Sequence, residues 1–326
     1  MNTRPHHSAN GRFQNPWPEA APPGFGRALR WLLSRSFKEL PPLPTRGSLP
    51  MRAPDVAYPR AAPDVFAATW VGHSTALLQM GGLNIITDPV FSQRASPFTA
   101  IGPRRVMGPA LELNAVPPLD LVLISHNHYD HLDRASAEHL ARAHDATWVA
   151  PLKLATTLRR WGVRDIVELD WWDTTTVRGV QITATPAKHF SGRSMRDRFA
   201  TLWCGYSLAS QDTRVYFAGD SAFHPEFREV GARCGPFDFV MIPIGAYDPR
   251  WMMRSVHLDP EEAVQAYVDI ANGSAPLMLA IHWGTFRLTE EALDEPPTRA
   301  RAEWERRGLD PHRLWVAAFG ETRRWR

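Results

Sequence analysis

Leu119-Asp120-Leu121-Val122-Leu123-Ile124-Ser125-His126-Asn127-His128-Tyr129-Asp130-His131 decides the fold of this chain. The part up to Ile124 is a short apolar run, the pattern of a strand buried on both faces. The part after it places three imidazoles and a carboxylate at the strand's tip, where a rigid element presents side chains from a free loop. Neutral imidazole nitrogens and a carboxylate oxygen suit zinc and similar ions and leave a coordination position open for water. The order His-x-His-x-Asp-His divides the ligands between two ions. His126 and His128 serve one, Asp130 and His131 the other.

Downstream positions extend the pattern. His189 follows the strand-like run Val180 to Thr185, Asp220 follows Val215 to Gly219, His282 ends Leu277 to Ile281, and His257 precedes a helix start. One histidine after a strand is more often an ordinary hydrogen-bonded residue. Several at strand ends gather at one point, because the strands of a sheet end on a common edge.

With TPAKH (185–189), FAGDS (217–221) and IHWGTF (281–286), HNHYDHLD (126–133) resembles the metallo-β-lactamase-fold hydrolases. The strings WVGHSTALLQMGGLNIITDPVFS (70–92), LDWWD (169–173), GPFDFVMIPIGAYDPRWMM (235–253) and HLDPEEAV (257–264) resemble more narrowly the N-acyl-phosphatidylethanolamine phospholipase D family and its bacterial relatives. The resemblance covers about residues 65–320 and is specific, because the strings are long and ordered. It implies an α/β chain (an α+β sandwich) of four αββα layers and a binuclear metal hydrolase. It puts His126, His128 and His189 on one zinc, Asp130, His131 and His282 on the other, and Asp220 between them. Iron or manganese suits the same donors. His257 corresponds to a histidine beside the metals, although Asp259-Pro260-Glu261-Glu262 also makes it the flank of a capped helix.

The implied chemistry is phosphodiester hydrolysis. Two cations about 4 Å apart activate a bridging water and clamp phosphoryl oxygens. Asp130 would orient that water and His257 would assist the leaving alkoxide. The substrate implied is a phospholipid or another phosphodiester, with phosphatidic acid and an N-acylethanolamine as products. His73-Ser74 does not make a serine hydrolase, for the chain has no G-x-S-x-G elbow. His73 and Asp88 read instead as supports of the site, Asp88 as acceptor for a ligand imidazole's second N–H or as a turn residue before Pro89. The rival readings are a lactonase or phosphodiesterase acting on a small soluble phosphorylated substrate, a nuclease, and a non-catalytic metal-binding protein.

The 326 residues, 44% hydrophobic, suffice for one large core. Residues 61–326 read as the catalytic domain and residues 1–60 as a proline-rich extension. Further strands are expected at Ala67–Val71, Thr147–Ala150, Ile166–Leu169, Leu202–Leu208, Asp238–Pro243 and Trp315–Phe319. Helices are expected at Ala135–Ala143, Lys153–Trp161, Pro260–Ala271 and Thr298–Arg307. The extension carries prolines from Pro16 and Pro18 to Pro54, with an amphipathic stretch Gly26–Leu40 between them. Leu29, Trp31, Leu32, Leu33 and Phe37 there oppose Arg27, Arg30, Arg35 and Lys38. Such a helix packs on the domain, on a second subunit in a homodimer, or in a membrane interface.

No run approaches the length of a membrane span and no secretory leader is evident, so the cytoplasm is expected, with peripheral contact at the inner membrane surface. Cys204 and Cys234 read as reduced thiols. The net charge of +3 is dispersed apart from Arg323-Arg324-Trp325-Arg326, which argues against a nucleic-acid partner. Among 13 tryptophans, Trp171, Trp172, Trp203, Trp251 and Trp283 lie near site motifs, as core packing or as the wall of an acyl groove. Met252 and Met253 read as a flexible apolar loop.

Overall fold

The apolar runs that end in histidine or aspartate become strands of two seven-stranded sheets in a computed structural model. The structure describes residues 4–17, 22–35, 38–45, 47–194 and 196–325. Pro18, Phe37 and Arg326, named above, lie outside the described residues. The first sheet contains β1 (Phe66–Gly72), β2 (Thr75–Met80), β3 (Leu83–Thr87), β4 (Leu121–Leu123), β5 (Thr147–Pro151) and β6 (Ile166–Leu169). The second contains β7 (Thr174–Val177), β8 (Val180–Thr185), β9 (Gly205–Ala209), β10 (Arg214–Phe217), β11 (Phe239–Pro243), β12 (Leu277–Ile281) and β13 (Leu314–Trp315). The last strand, β14 (Thr322–Trp325), returns to the first sheet beside β1.

Strand directions explain how distant residues meet. β1 and β3 each pair antiparallel with β2, and β3 runs parallel to β4, so β1, β3 and β4 end on one edge. β8 and β10 each pair antiparallel with β9, while β10, β11 and β12 are parallel, so β8, β10 and β12 also end together. His73, Asp88, His126, His189, Asp220 and His282 all follow the C-terminal ends of these six strands.

Between the sheets, Leu78, Ile85 and Leu123 meet Ile182, Tyr206 and Phe217. Tyr206 Oη donates across the gap to the Ile124 carbonyl at 2.8 Å. On the outer face of the first sheet, Leu77, Ile86 and Val122 pack under α2 (Arg134–Ala143) and α3 (Ala155–Arg160) through Leu140 and Leu158. Burial on both faces is why these strands read as unbroken apolar runs. Helices α4 (Phe227–Cys234), α6 (Pro260–Ala271) and α7 (Glu295–Arg306) cover the second sheet, and the order of the four layers is αββα as expected. The two remaining helices, α1 (Phe25–Arg35) and α5 (Arg250–Met253), lie apart from that layer and pack on each other.

Several boundaries differ from the sequence reading. β9 starts at Gly205, because Leu202 and Cys204 donate instead to Leu152 and Ser125 on the first-sheet side. β13 ends at Trp315, and Phe319 bridges Met51. α7 begins at Glu295, with prolines in its first turn, where the missing N–H leaves no bond unmade. α4 and α5 were not foreseen, nor was β14, formed from a basic run that reads as surface charge. Asp259 caps α6 in a reciprocal capping box with Glu262, as the sequence suggests, worth about 1 kcal/mol.

Trp171, Trp203 and Trp283 are core residues, which removes them from any acyl groove; Trp251 alone of the five is largely exposed. Met252 and Met253 are buried beneath Trp31 of α1 rather than forming an open loop. Trp31 Nε1 donates to Glu290 at 2.7 Å, while Leu29 and Leu33 on the outer face of α1 stay exposed. Cys204 and Cys234 are free and buried.

Candidate metal centre

All seven residues expected to ligate metal converge, in two groups that share Asp220. In the first, His126 Nε2 and His189 Nε2 lie 2.9 and 3.1 Å from His128 Nδ1. In the second, His131 Nε2 and His282 Nε2 are 3.2 Å apart, and Asp130 Oδ2 is 3.5 Å from each. Asp220 Oδ2 stands between the groups, 3.1 Å from His131, 3.2 Å from His282, 3.8 Å from His189 and 3.9 Å from His126.

Backbone conformation aims these side chains. His73, Asp88 and His282 take positive φ values of 54°, 33° and 65°, a strained turn at three strand ends of the kind found at functional sites. Gly219, with φ of +62°, lets Asp220 approach, since a Cβ there would lie 2.8 Å from both the Cys204 carbonyl and Ser125 Cβ.

A ring of hydrogen bonds sets the tautomers. Asp88 accepts from Ser125 N at 2.7 Å, Ser125 Oγ at 2.5 Å and His131 Nδ1 at 2.7 Å. Because Ser125 Oγ gives its proton to Asp88, it accepts from His126 Nδ1 at 2.9 Å. His189 Nδ1 donates to the Val256 carbonyl at 2.7 Å. Those outward bonds leave Nε2 as the inward-facing atom of His126, His131 and His189. Ring nitrogens crowded around the Asp130 and Asp220 carboxylates make a site for a cation, and the buried Asp220 Oδ1 has no partner among the described residues. The donor set thus fits divalent metal ions. The outward bonds match the orienting contacts that metal-binding imidazoles make.

Burial is the largest influence on each of these groups. It pushes His126 and His189 below the ordinary histidine range and His128 to about 3. For His131 and His282 it is outweighed by the carboxylates of Asp220 and Asp130, which raise His282 to about 9. For Asp130 and Asp220 it is outweighed by the histidines, and both stay well below the usual carboxylate range. His73 Nε2 reaches Asp130 Oδ2 at 3.1 Å, so both supports inferred from sequence touch ligand candidates.

His257 sits at the rim, its Nδ1 3.9 Å from Asp220 Oδ2 and its side chain 13% exposed. Asp130 is exposed to the same extent. Sequence reasoning missed Ser125 as the relay between Asp88 and His126, and it missed the Val256 carbonyl. A backbone carbonyl carries no residue-type signal. Arg193 was missed as well; its Nη1 donates to the carbonyls of Asn127 and Leu132 at 2.9 and 2.6 Å and holds the histidine loop in shape.

Two sheets flanked by helices, with a histidine and aspartate cluster across their common edge, define a class. The chain belongs to the beta-lactamase superfamily, as one of its metal-dependent hydrolases: the family model described as beta-lactamase superfamily domain matches residues 83–283. It is 40% identical over 261 residues to an uncharacterized protein of Mycobacterium tuberculosis, covering 77% of this chain and 69% of that one. It is 36% identical over 241 residues to N-acyl-phosphatidylethanolamine-hydrolyzing phospholipase D 1 of Caenorhabditis elegans, covering 70% of this chain and 67% of the relative. A metallo hydrolase of Ignicoccus hospitalis shares the fold, with a TM-score of 0.61 at 21% identity over 80% of this chain and 99% of its own.

Proposed function

We propose that the chain is a binuclear phosphodiesterase of the phospholipase D type, acting on N-acyl-phosphatidylethanolamine-like phospholipids. The observation that carries this reading is the pair of inward-facing donor sets joined by Asp220. His126, His128 and His189 would hold one ion, Asp130, His131 and His282 the other. Bound there, two divalent ions, zinc first and iron or manganese as alternatives, supply an activated water and positive charge for phosphoryl oxygens.

The chain's own groups do the rest. Asp130, anchored by His73, orients the attacking water. His257, which burial keeps well below the ordinary histidine range and hence neutral, donates a hydrogen bond to the leaving oxygen rather than acting as an imidazolium. Exposed Leu29, Leu33 and Trp251, with exposed Arg27 and Arg30 nearby in sequence, supply an apolar and basic face for a bilayer surface. The activity for which the C. elegans relative is named favours the same lipid class.

The test compares N-acyl-phosphatidylethanolamine with bis(p-nitrophenyl) phosphate, using metal-loaded wild type and Asp220→Asn, with products identified by mass spectrometry. Phosphatidic acid and N-acylethanolamine from wild type alone sustain the proposal. Cleavage of only the soluble ester moves the substrate off the membrane. No turnover of either refutes phosphodiester chemistry and favours a lactone.

A further inference from the structure

A separate group of metal-binding side chains lies away from this centre. Asp170 follows the end of β6, and the segment of residues 4–17 crosses over it. His6 Nε2 is 2.6 Å from Asp170 Oδ1 and His7 Nε2 is 2.8 Å from Oδ2. The three ligand atoms lie within 4.8 Å of one another. His6 is buried, whereas the His7 side chain is 38% exposed and leaves one side open to water.

We propose that His6, His7 and Asp170 form a structural site for a zinc-class divalent ion, which fastens the N-terminal segment to the catalytic domain. Two imidazole nitrogens and a carboxylate oxygen are a donor set for such ions, and water completes a tetrahedron on the open side. The donors are held in place beforehand. His6 stacks on Trp171 with centroids 4.2 Å apart, and His7 stands edge-on to Phe13 at 5.1 Å. Asp170 Oδ1 accepts from the Trp171 N–H at 2.8 Å, and Arg4 Nη1 forms an ion pair with Oδ2 at 2.9 Å. Arg4 also reaches Asp173 at 2.7 Å, so it braces the Asp170 carboxylate against its neighbour.

The location gives the ion a task. Beyond the cluster, Phe13 N donates to the Phe199 carbonyl at 2.9 Å and Asn15 Nδ2 donates to the His189 carbonyl at 2.8 Å. A clip at His6 and His7 therefore steadies the strap that touches the backbone of a candidate catalytic ligand. Closing so long a loop with one ion is where a metal clip gains most by chain entropy.

The test is metal content by mass spectrometry on the full chain, loaded with zinc and dialysed, comparing wild type with the His6→Ala, His7→Ala double variant. The variant should lose one zinc equivalent per chain and keep the rest. An anomalous difference map at the zinc edge should place the lost ion among His6, His7 and Asp170. Tryptic cleavage after Arg12 should speed up in the double variant and in chelator-treated wild type. Should the double variant misfold, His7→Gln at the half-exposed position must still lose the equivalent, with an unchanged near-ultraviolet spectrum. Equal zinc content and equal protease resistance in both proteins overturn the proposal and leave His6 and His7 as hydrogen-bond donors. Asp220→Asn, by contrast, should keep this ion, so failure here is distinct from failure of the hydrolase reading.

Discussion

Asp88→Asn isolates the contribution of the bond network behind the metal centre. Asp88 is wholly buried and accepts three hydrogen bonds, from Ser125 N, Ser125 Oγ and His131 Nδ1. Asparagine has one oxygen in place of two, so its amide N–H₂ must face either the Ser125 N–H or the pair Ser125 Oγ and His131 Nδ1. Facing the pair, it donates to Nδ1, forces the proton onto Nε2 and removes the lone pair a metal would take. Facing the Ser125 N–H, it leaves two donors opposed. Losing such an orienting contact costs roughly 10- to 100-fold in metal affinity, and each tenfold is about 1.4 kcal/mol. The lost bond to a charged group costs folding roughly 1.5–3 kcal/mol on its own. Chelator competition, followed with a chromophoric indicator, should show both ions weakened, because Ser125 Oγ, which orients His126, and His131 Nδ1 share the same Asp88 oxygen. Wild-type affinity at both positions in a folded Asp88→Asn protein would refute the tautomer argument.

Other outcomes follow from the same geometry. His224 is buried between Phe227 and Trp17, and burial, with Lys188 adding to it, pushes its imidazole down to about 3. The unfolded chain takes up a proton at His224 below about 6.5 and the folded chain does not, so stability falls as pH drops from there toward 3, by up to ~1.4 kcal/mol per unit. His224→Phe should therefore raise Tm relative to wild type more at pH about 5 than at pH about 8; an equal shift at both would show that the histidine is not neutral. Gly219→Ala should cost at least ~2–3 kcal/mol and weaken metal retention, from its positive φ together with the Cβ overlap, read by denaturant unfolding and metal content. Leu29→Ser with Leu33→Ser should lower sedimentation with anionic phospholipid vesicles by roughly tenfold, on about 0.7 kcal/mol for each half-exposed leucine, while turnover of a soluble ester stays unchanged.

The legible part of the centre was the part written in residue types. His126, His128, Asp130 and His131 are adjacent in sequence, and a strand followed by a ligand loop shows in a few residues. His189, Asp220 and His282 were legible because each follows an apolar run. The support role of Asp88 was legible only as one of two readings; the 2.7 Å contact with His131 selects it. The tryptophans show the opposite case. Trp171, Trp203 and Trp283 lie beside site motifs in sequence, yet each side chain turns into the core, because position along a strand does not say which face a neighbouring loop residue will take.

By itself the sequence determined the donor chemistry and the strand that ends in each candidate ligand, because these rest on local residue type and short-range periodicity, while the superfamily showed in the resemblance of its long ordered strings. Only the tertiary structure decided which six strands supply the common edge, brought Asp220 Oδ2 within 3.1–3.9 Å of four histidines and showed that Ser125 and the Val256 carbonyl fix the tautomers. It alone brought His6 and His7 to Asp170. Such contacts join residues far apart in the chain through hydrogen bonds a few ångströms long, and that proximity is set by sheet pairing and core packing, which no local pattern encodes.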